Sequence, residues 1–205
     1  LQTEGWNVVE SGSFTNLSIK DVTTDHYVEA DYKNVVEYKG DLKPLPPLLI
    51  TSYDIECISG DGTFPQADRP EDKIVSICAT TNVYGSEKIV RTDVLALDTS
   101  KRIKDSNMQC FDNQTDLILA WKDTINDIDP DFIIGFNTFG FDNKYVYEKA
   151  EQPGVNCAKR FSYISRLRNH KCIFKKETIS SAGLGDNEMW LHHIPGREQC
   201  DIMKL

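Results

Sequence analysis

Three prolines fall within four residues in the segment "KPLPPLLI", residues 43–50. Such a cluster can continue neither a helix nor a central strand. The chain must break there, and a boundary near Lys43 divides residues 1–47 from 48–205. The run that follows, "LLITSYDIE", reads as a buried strand until its end, where Asp54 and Glu56 stand two apart. Strand side chains two apart share a face, so these carboxylates project together while Tyr53 and Ile55 point away. Like charges held that close repel and protonate in part unless a cation neutralises them. A hard divalent ion with oxygen ligands, Mg²⁺ or Mn²⁺, suits that face. The plain alternative is a strand that ends in two solvated carboxylates.

A second segment, "DPDFIIGFNTFGFD", runs a short buried strand into a Gly-Phe-Asn turn and places Asp142 at a strand-to-helix junction. If this strand lies parallel to the first, its C-terminal end comes beside Asp54, at the edge where open α/β sheets collect ligands. Asp142 is also well suited to cap the helix "DNKYVYEKAEQ" that follows, which Pro153-Gly154 terminates.

Between these segments the pattern predicts strands at "DKIVSICATTN" and "EKIVRTDVLAL", joined by the turn "NVYG". A helix follows, with Thr115 or Asp112 as its cap, Leu117, Ile118, Trp121, Ile125 and Ile128 on one face, and Pro130 just past its end. From Lys171 onward, alternating segments around "GLGDNE" predict an antiparallel hairpin, and before Lys43 short alternating stretches such as "HYVEADY" suggest strands. The fold class is α/β: a mixed sheet with flanking helices and a hairpin, preceded by a β-rich segment.

The six cysteines, Cys57, Cys78, Cys110, Cys157, Cys172 and Cys200, lie far apart and several fall in apolar runs. Several read as reduced core thiols, and free thiols are favoured over a zinc site or disulfide framework. No apolar run approaches the roughly 20 residues that cross a bilayer, so no membrane partner is expected and an intracellular location is. The net charge of −9 does not suit a chain that grips nucleic acid alone, because phosphate contacts come from Lys and Arg. It is compatible with a nucleic-acid enzyme whose site holds carboxylates for cations. The chain opens on Leu1 and closes on "CDIMKL" without a stop signal, and reads as a piece of a longer protein. His192 and His193 cannot easily share an ion, since neighbours on a strand face opposite ways.

Taken together, "YDIECISGDGTFP" resembles the first exonuclease motif of family B DNA polymerases and "IIGFNTFGFD" the second. "DLILAWKDTINDIDPD" is similar to the family's intervening helix and Asp-Pro-Asp lead-in, and "SSAGLGDNEMWLHHIPGREQCDIMKL" to its hairpin and the following strand. The resemblance covers about residues 48–205, with "PLPPLLITSYDIE" matching the usual entry from an N-terminal domain, and "FNTFGFD" with "LGDNE" and "PGR" looks most like polymerases of large DNA viruses of eukaryotes. It implies a ribonuclease-H-like 3′–5′ exonuclease domain in which two Mg²⁺ ions, or Mn²⁺ in their place, hydrolyse the terminal phosphodiester of a mispaired primer. Asp54 matches the carboxylate that bridges both ions, Glu56 a ligand of one, and Asp142 the residue that holds the second. Phe64, Asn137 and Phe141 match positions beside the primer's last nucleotides, although core packing is the alternative for the two phenylalanines.

The implied partners are the primer 3′ end and template, the polymerase domains of the same chain and a sliding clamp; the implied place is a host nucleus or viral replication site. The family's third motif, Tyr-x-x-x-Asp, is met only by "YVEAD", Tyr27 to Asp31, which has the wrong order and is read as chance. Asp201 matches the strand after the hairpin and receives no catalytic role, and Leu184 stands where many cellular members have tyrosine. A fragment with three of four catalytic carboxylates is expected to bind metal weakly and cut poorly. The competing readings are a non-catalytic domain of the same fold that binds single strands or braces a polymerase, and a free-standing exonuclease.

Overall fold

The computed structural model describes residues 6–18, 26–40, 46–181 and 185–204; Lys43 and Leu184, singled out above, lie outside the described residues. The chain divides into two compact units, Leu1–Pro46 with Leu167–Asn169, and Pro47–Arg166 with His170–Leu205.

In the first unit, β1 (Asn7–Val9), β2 (Phe14–Asn16), β3 (Val28–Ala30) and β4 (Val35–Glu37) form two antiparallel pairs, β1 with β4 and β2 with β3. Asp31, the last residue of "YVEAD", acts locally: its carboxylate accepts the Lys33 N–H at 2.9 Å and caps a single 3-10 turn.

The second unit carries β5 (Leu49–Ile58), β6 (Lys73–Val83), β7 (Ile89–Leu97), β8 (Asn107–Phe111), α1 (Gln114–Ile128), β9 (Phe132–Gly135), α2 (Asp142–Glu151), α3 (Ala158–Phe161), β10 (Ile173–Ser181), β11 (Gly185–His193) and β12 (Glu198–Asp201). Six strands form one mixed sheet in the order β12-β9-β5-β6-β7-β8, and β10 pairs with β11 as the expected hairpin. β6 runs against its two neighbours, while the β12–β9, β9–β5 and β7–β8 pairs are parallel.

Alternation along the central strands decides which face is covered. Thr51, Tyr53 and Ile55 of β5 and Ile77 and Ala79 of β6 are buried with Leu117, Ile118, Trp121 and Ile125 of α1 and Tyr145 and Val146 of α2. Asp54, Glu56 and Cys78 lie on the opposite face and are exposed. The six thiols are free: Cys157 and Cys172 are buried in the core, whereas Cys78 and Cys110 are exposed because their strands have one solvated face.

Two caps also differ from expectation. α1 is capped by neither Thr115 nor Asp112 but by Asn113, whose side chain accepts the Asp116 N–H at 2.9 Å; Thr115 is already inside the helix and donates to the Val155 carbonyl. Phe141, not Asp142, occupies the cap position of α2. Asp142 is the first helical residue, and its carboxylate is engaged elsewhere.

Candidate active site

β9 pairs with β5 only from Ile50 to Ser52. It leaves the sheet after Gly135, where any Cβ would approach the Tyr53 carbonyl at 2.8 Å and press on Thr138. Glycine is needed for that close approach. Asn137 then takes a left-handed φ of 59°, and its carbonyl accepts the N–H groups of Gly140 at 3.0 Å and Phe141 at 2.9 Å. The chain thereby turns back into α2.

This departure leaves the N–H of Ile55 without a strand partner on that side of β5. The Oδ1 of Asp142 accepts it at 3.1 Å. A side chain from the start of α2 therefore completes the hydrogen bonding of the strand that carries Asp54 and Glu56, and brings Asp142 beside Asp54. Asp142 is only 3% exposed. Burial pushes its carboxyl up to about 6, and the negative charges of Asp54 and Asp201 add to the rise against the pull of the Ile55 N–H. The buried Tyr53 hydroxyl feels the same three carboxylates and is raised well above the ordinary phenol range, with burial again the main cause.

The structure thus brings Asp54 and Asp142 together, while Glu56 shares the exposed face of Asp54 next to a register shift between Glu56 and Cys57. Among the described residues no group of three or more His, Cys, Asp or Glu is close enough to hold a metal ion. The donor chemistry nevertheless fits a hard divalent cation: the groups are oxygen donors, and among the described residues those acting on Asp142 include carboxylates and backbone N–H groups but no Lys or Arg. Asp54, Asp142 and, from the same strand face, Glu56 would hold it.

The aromatic candidates also meet. Phe64 is 68% exposed on the loop between β5 and β6 and lies edge-on to Phe141, with ring centroids 5.4 Å apart. That loop is held from within. Buried Asp72 accepts the N–H groups of Gly60 at 2.9 Å and Gln66 at 2.7 Å, and these bonds keep its carboxyl below the usual range. The Lys149 ammonium, fully buried in α2, donates to the Arg69 carbonyl at 2.8 Å. Beneath the two rings is a recess of about 160 Å³ lined by Phe64, Pro65, Gln66, Gly140, Phe141 and Tyr145 among others.

Sequence reasoning missed a second ring of residues. Tyr53 donates its hydroxyl to Asn143 Oδ1 at 2.7 Å, Asn143 donates to the Trp190 carbonyl at 3.2 Å, and the Trp190 N–H is bonded to the Phe139 carbonyl at 2.7 Å. Asp201 accepts the N–H groups of Asn137 and Phe139. A hydroxyl at position 53 on the buried face and an amide right after Asp142 were the available signals; the backbone bonds leave none. His192 sits beside Tyr147, Phe161 and Phe174 and is pushed down to about 3 by burial, while His193 is exposed and faces Glu177.

Residues 1–205 match the family model described as "DNA polymerase family B, exonuclease domain". The chain is 30% identical over 177 residues to the DNA polymerase delta catalytic subunit of Schizosaccharomyces pombe, covering 85% of this chain and 16% of that protein. It is 32% identical over 201 residues to a DNA polymerase of Acanthamoeba polyphaga mimivirus, covering 91% of this chain and 10% of the relative. A DNA polymerase of Pyramimonas orientalis virus is 37% identical over 134 residues, or 65% of this chain and 11% of that protein. The chain therefore spans between a tenth and a sixth of the length of these relatives.

Proposed function

Because the chain belongs to the exonuclease domain of DNA polymerase family B, we propose that its second unit is a ribonuclease-H-like proofreading 3′–5′ exonuclease region and its first unit the end of a polymerase N-terminal domain. The observation that carries this reading is the buried carboxylate of Asp142, docked on the Ile55 N–H beside Asp54, just past the point where β9 leaves its parallel pairing with β5.

The reaction is hydrolysis of the last phosphodiester: water adds to phosphorus, the bond to the 3′ oxygen breaks, that oxygen takes up a proton, and a nucleoside monophosphate leaves. Divalent cations, when bound, supply the acidity that activates water and the charge that stabilises the departing oxygen. Asp54, Glu56 and Asp142 would hold these cations. Asp142 is fixed by the Ile55 N–H, and a bound cation would offset the cost of ionising its buried carboxyl. Phe64 and Phe141 offer ring faces and edges against which any unpaired base can stack, as suits an enzyme that must not read sequence. Asn137, whose backbone makes the turn, has its side-chain amide against Gly140, next to Phe141 in the chain.

The whole protein is then a replicative DNA-directed DNA polymerase acting on primer and template, with a sliding clamp among its partners, in a nucleus or at a viral replication site. Among the described residues, no helix is long and apolar enough to cross a membrane. The reading is tested in the full-length protein: Asp54→Ala abolishes 3′-end trimming and leaves nucleotide addition intact. Equal loss of both activities would overturn it.

The absence of a three-ligand group among the described residues favours one other reading, a non-catalytic domain that binds single strands or braces the polymerase. Mn²⁺ binding that depends on Asp142 counts against that alternative, and no binding at millimolar Mn²⁺ supports it.

A further inference from the structure

β12 is an edge strand of four residues, and Asp201 at its end lies directly across from Gly135, the last residue of β9. The Asp201 carboxylate is 2% exposed. Its Oδ1 accepts the Asn137 N–H at 2.7 Å and the Met203 N–H at 3.0 Å, and its Oδ2 accepts the Phe139 N–H at 3.0 Å. Three of about four acceptor positions are thus turned to backbone donors. That orientation makes it an organiser of chain rather than a ligand.

From this geometry we propose that Asp201 is a positioning residue for the 3′–5′ hydrolysis, holding the loop after β9 so that Phe141 and Asp142 face Asp54. The inference rests on the exonuclease reading given above.

Two of the three bonds go to the loop itself, at alternate residues. Between them Thr138 offers its carbonyl to the Asn143 N–H at 3.0 Å, and the Asn137 carbonyl takes the N–H groups of Gly140 and Phe141. Once Asn137 and Phe139 are pinned, the path to the first turn of α2 is set by these local bonds. Asn137 is held in left-handed backbone, which costs energy unless its surroundings impose it. A charged acceptor is suited to imposing it, since such bonds are about twice as strong as neutral ones. Asparagine cannot replace it. Its oxygen can face only one of the two loop donors, and its NH₂ then opposes the other N–H.

The test uses the full-length protein and the variant Asp201→Asn, assayed on a single-stranded oligonucleotide with Mg²⁺. The expected result is a fall of about 10- to 100-fold in kcat, the scale on which an ångström of misplacement acts. KM stays within about twofold, nucleotide addition is unchanged, and the melting temperature moves by no more than a few degrees. Hydrogen exchange read by mass spectrometry supplies a second measure: the amides of Asn137 and Phe139 are slow in the unaltered protein and fast in the variant. A kcat within twofold of the unaltered protein, or a loss that follows a collapse in melting temperature, overturns the proposal. Should the variant fail to fold, fast exchange of these amides in the unaltered protein is by itself enough to reject it. Absence of trimming in the unaltered protein instead rejects the exonuclease reading.

Discussion

Asp142 is a carboxyl group that folding makes less acidic, and the direction has a consequence for stability. Its folded value of about 6 lies above the unfolded value of 3.8, so between those limits the native state holds more protons than the unfolded chain. Stability is therefore lost as pH rises from about 4 through 6, by on the order of 2 kcal/mol. Removing the charge removes the loss: Asp142→Asn melts higher than the unaltered protein at pH 7.5 and gains nothing at pH 4. Mn²⁺ raises the melting temperature of the unaltered protein more at pH 7.5 than at pH 5, and leaves Asp142→Asn nearly unmoved; an equal rise at both pH values sinks this account. Tyr53 and Asn143 form the other residue-scale device. Asn143→Leu strands a buried hydroxyl and costs about 1–3 kcal/mol, whereas the double variant with Tyr53→Phe recovers much of it, because an apolar pair leaves no unmet hydroxyl. A double-mutant cycle in urea measures the recovery, and strictly additive losses would disprove it. The carboxylates were legible at this scale because a two-residue period fixes a face. The role of Asp201 was not, since its partners are backbone N–H groups 62 and 64 residues earlier and such groups carry no letter in the sequence.

Among the elements, β5, β6, β7 and α1 were readable because their apolar periods are long, and their ends were less so. Asn113 caps α1 although Asp112, an equally good cap residue, and Thr115, a somewhat weaker one, stand close by. Only the position at which the chain first turns helical decides which side chain reaches the free N–H. Asn113→Ala accordingly lowers stability by about 1 kcal/mol, and Asp112→Ala leaves it within a few tenths; denaturant melts that reversed this order would restore the sequence-based cap. β8 and α3 were not foreseen, since five and four residues are too few to establish a period. β9 proved shorter than its apolar run because Gly135 presses against the β5 backbone and the chain must leave. Gly135→Ala, with no room beside the Tyr53 carbonyl, destabilises the protein by about 2 kcal/mol or more and impairs trimming along with stability.

At the scale of the molecule, acidity acts through His192, which the hairpin buries among aromatic rings. Its folded value of about 3 lies below the unfolded 6.5, so its neutral form favours the native state fully above pH 6.5 and loses ground as pH falls. His192→Leu therefore flattens the acid limb of the stability curve between pH 6.5 and 4; an unchanged limb would mean the imidazole reaches solvent. The mixed sheet, its hairpin and the carboxylate edge were foreseeable from strand periods and from family resemblance. The tie between β9 and β12 was not, because the two strands pair across more than sixty residues. That tie also sets an order of birth. Protein synthesis adds about 5–20 residues each second, so the loop bearing Asp142 emerges on the order of 3–12 s before Asp201 exists to fasten it. A nascent chain holds Asp142 on an untied bend throughout that interval, so the loop is fastened only after the chain has grown through β12.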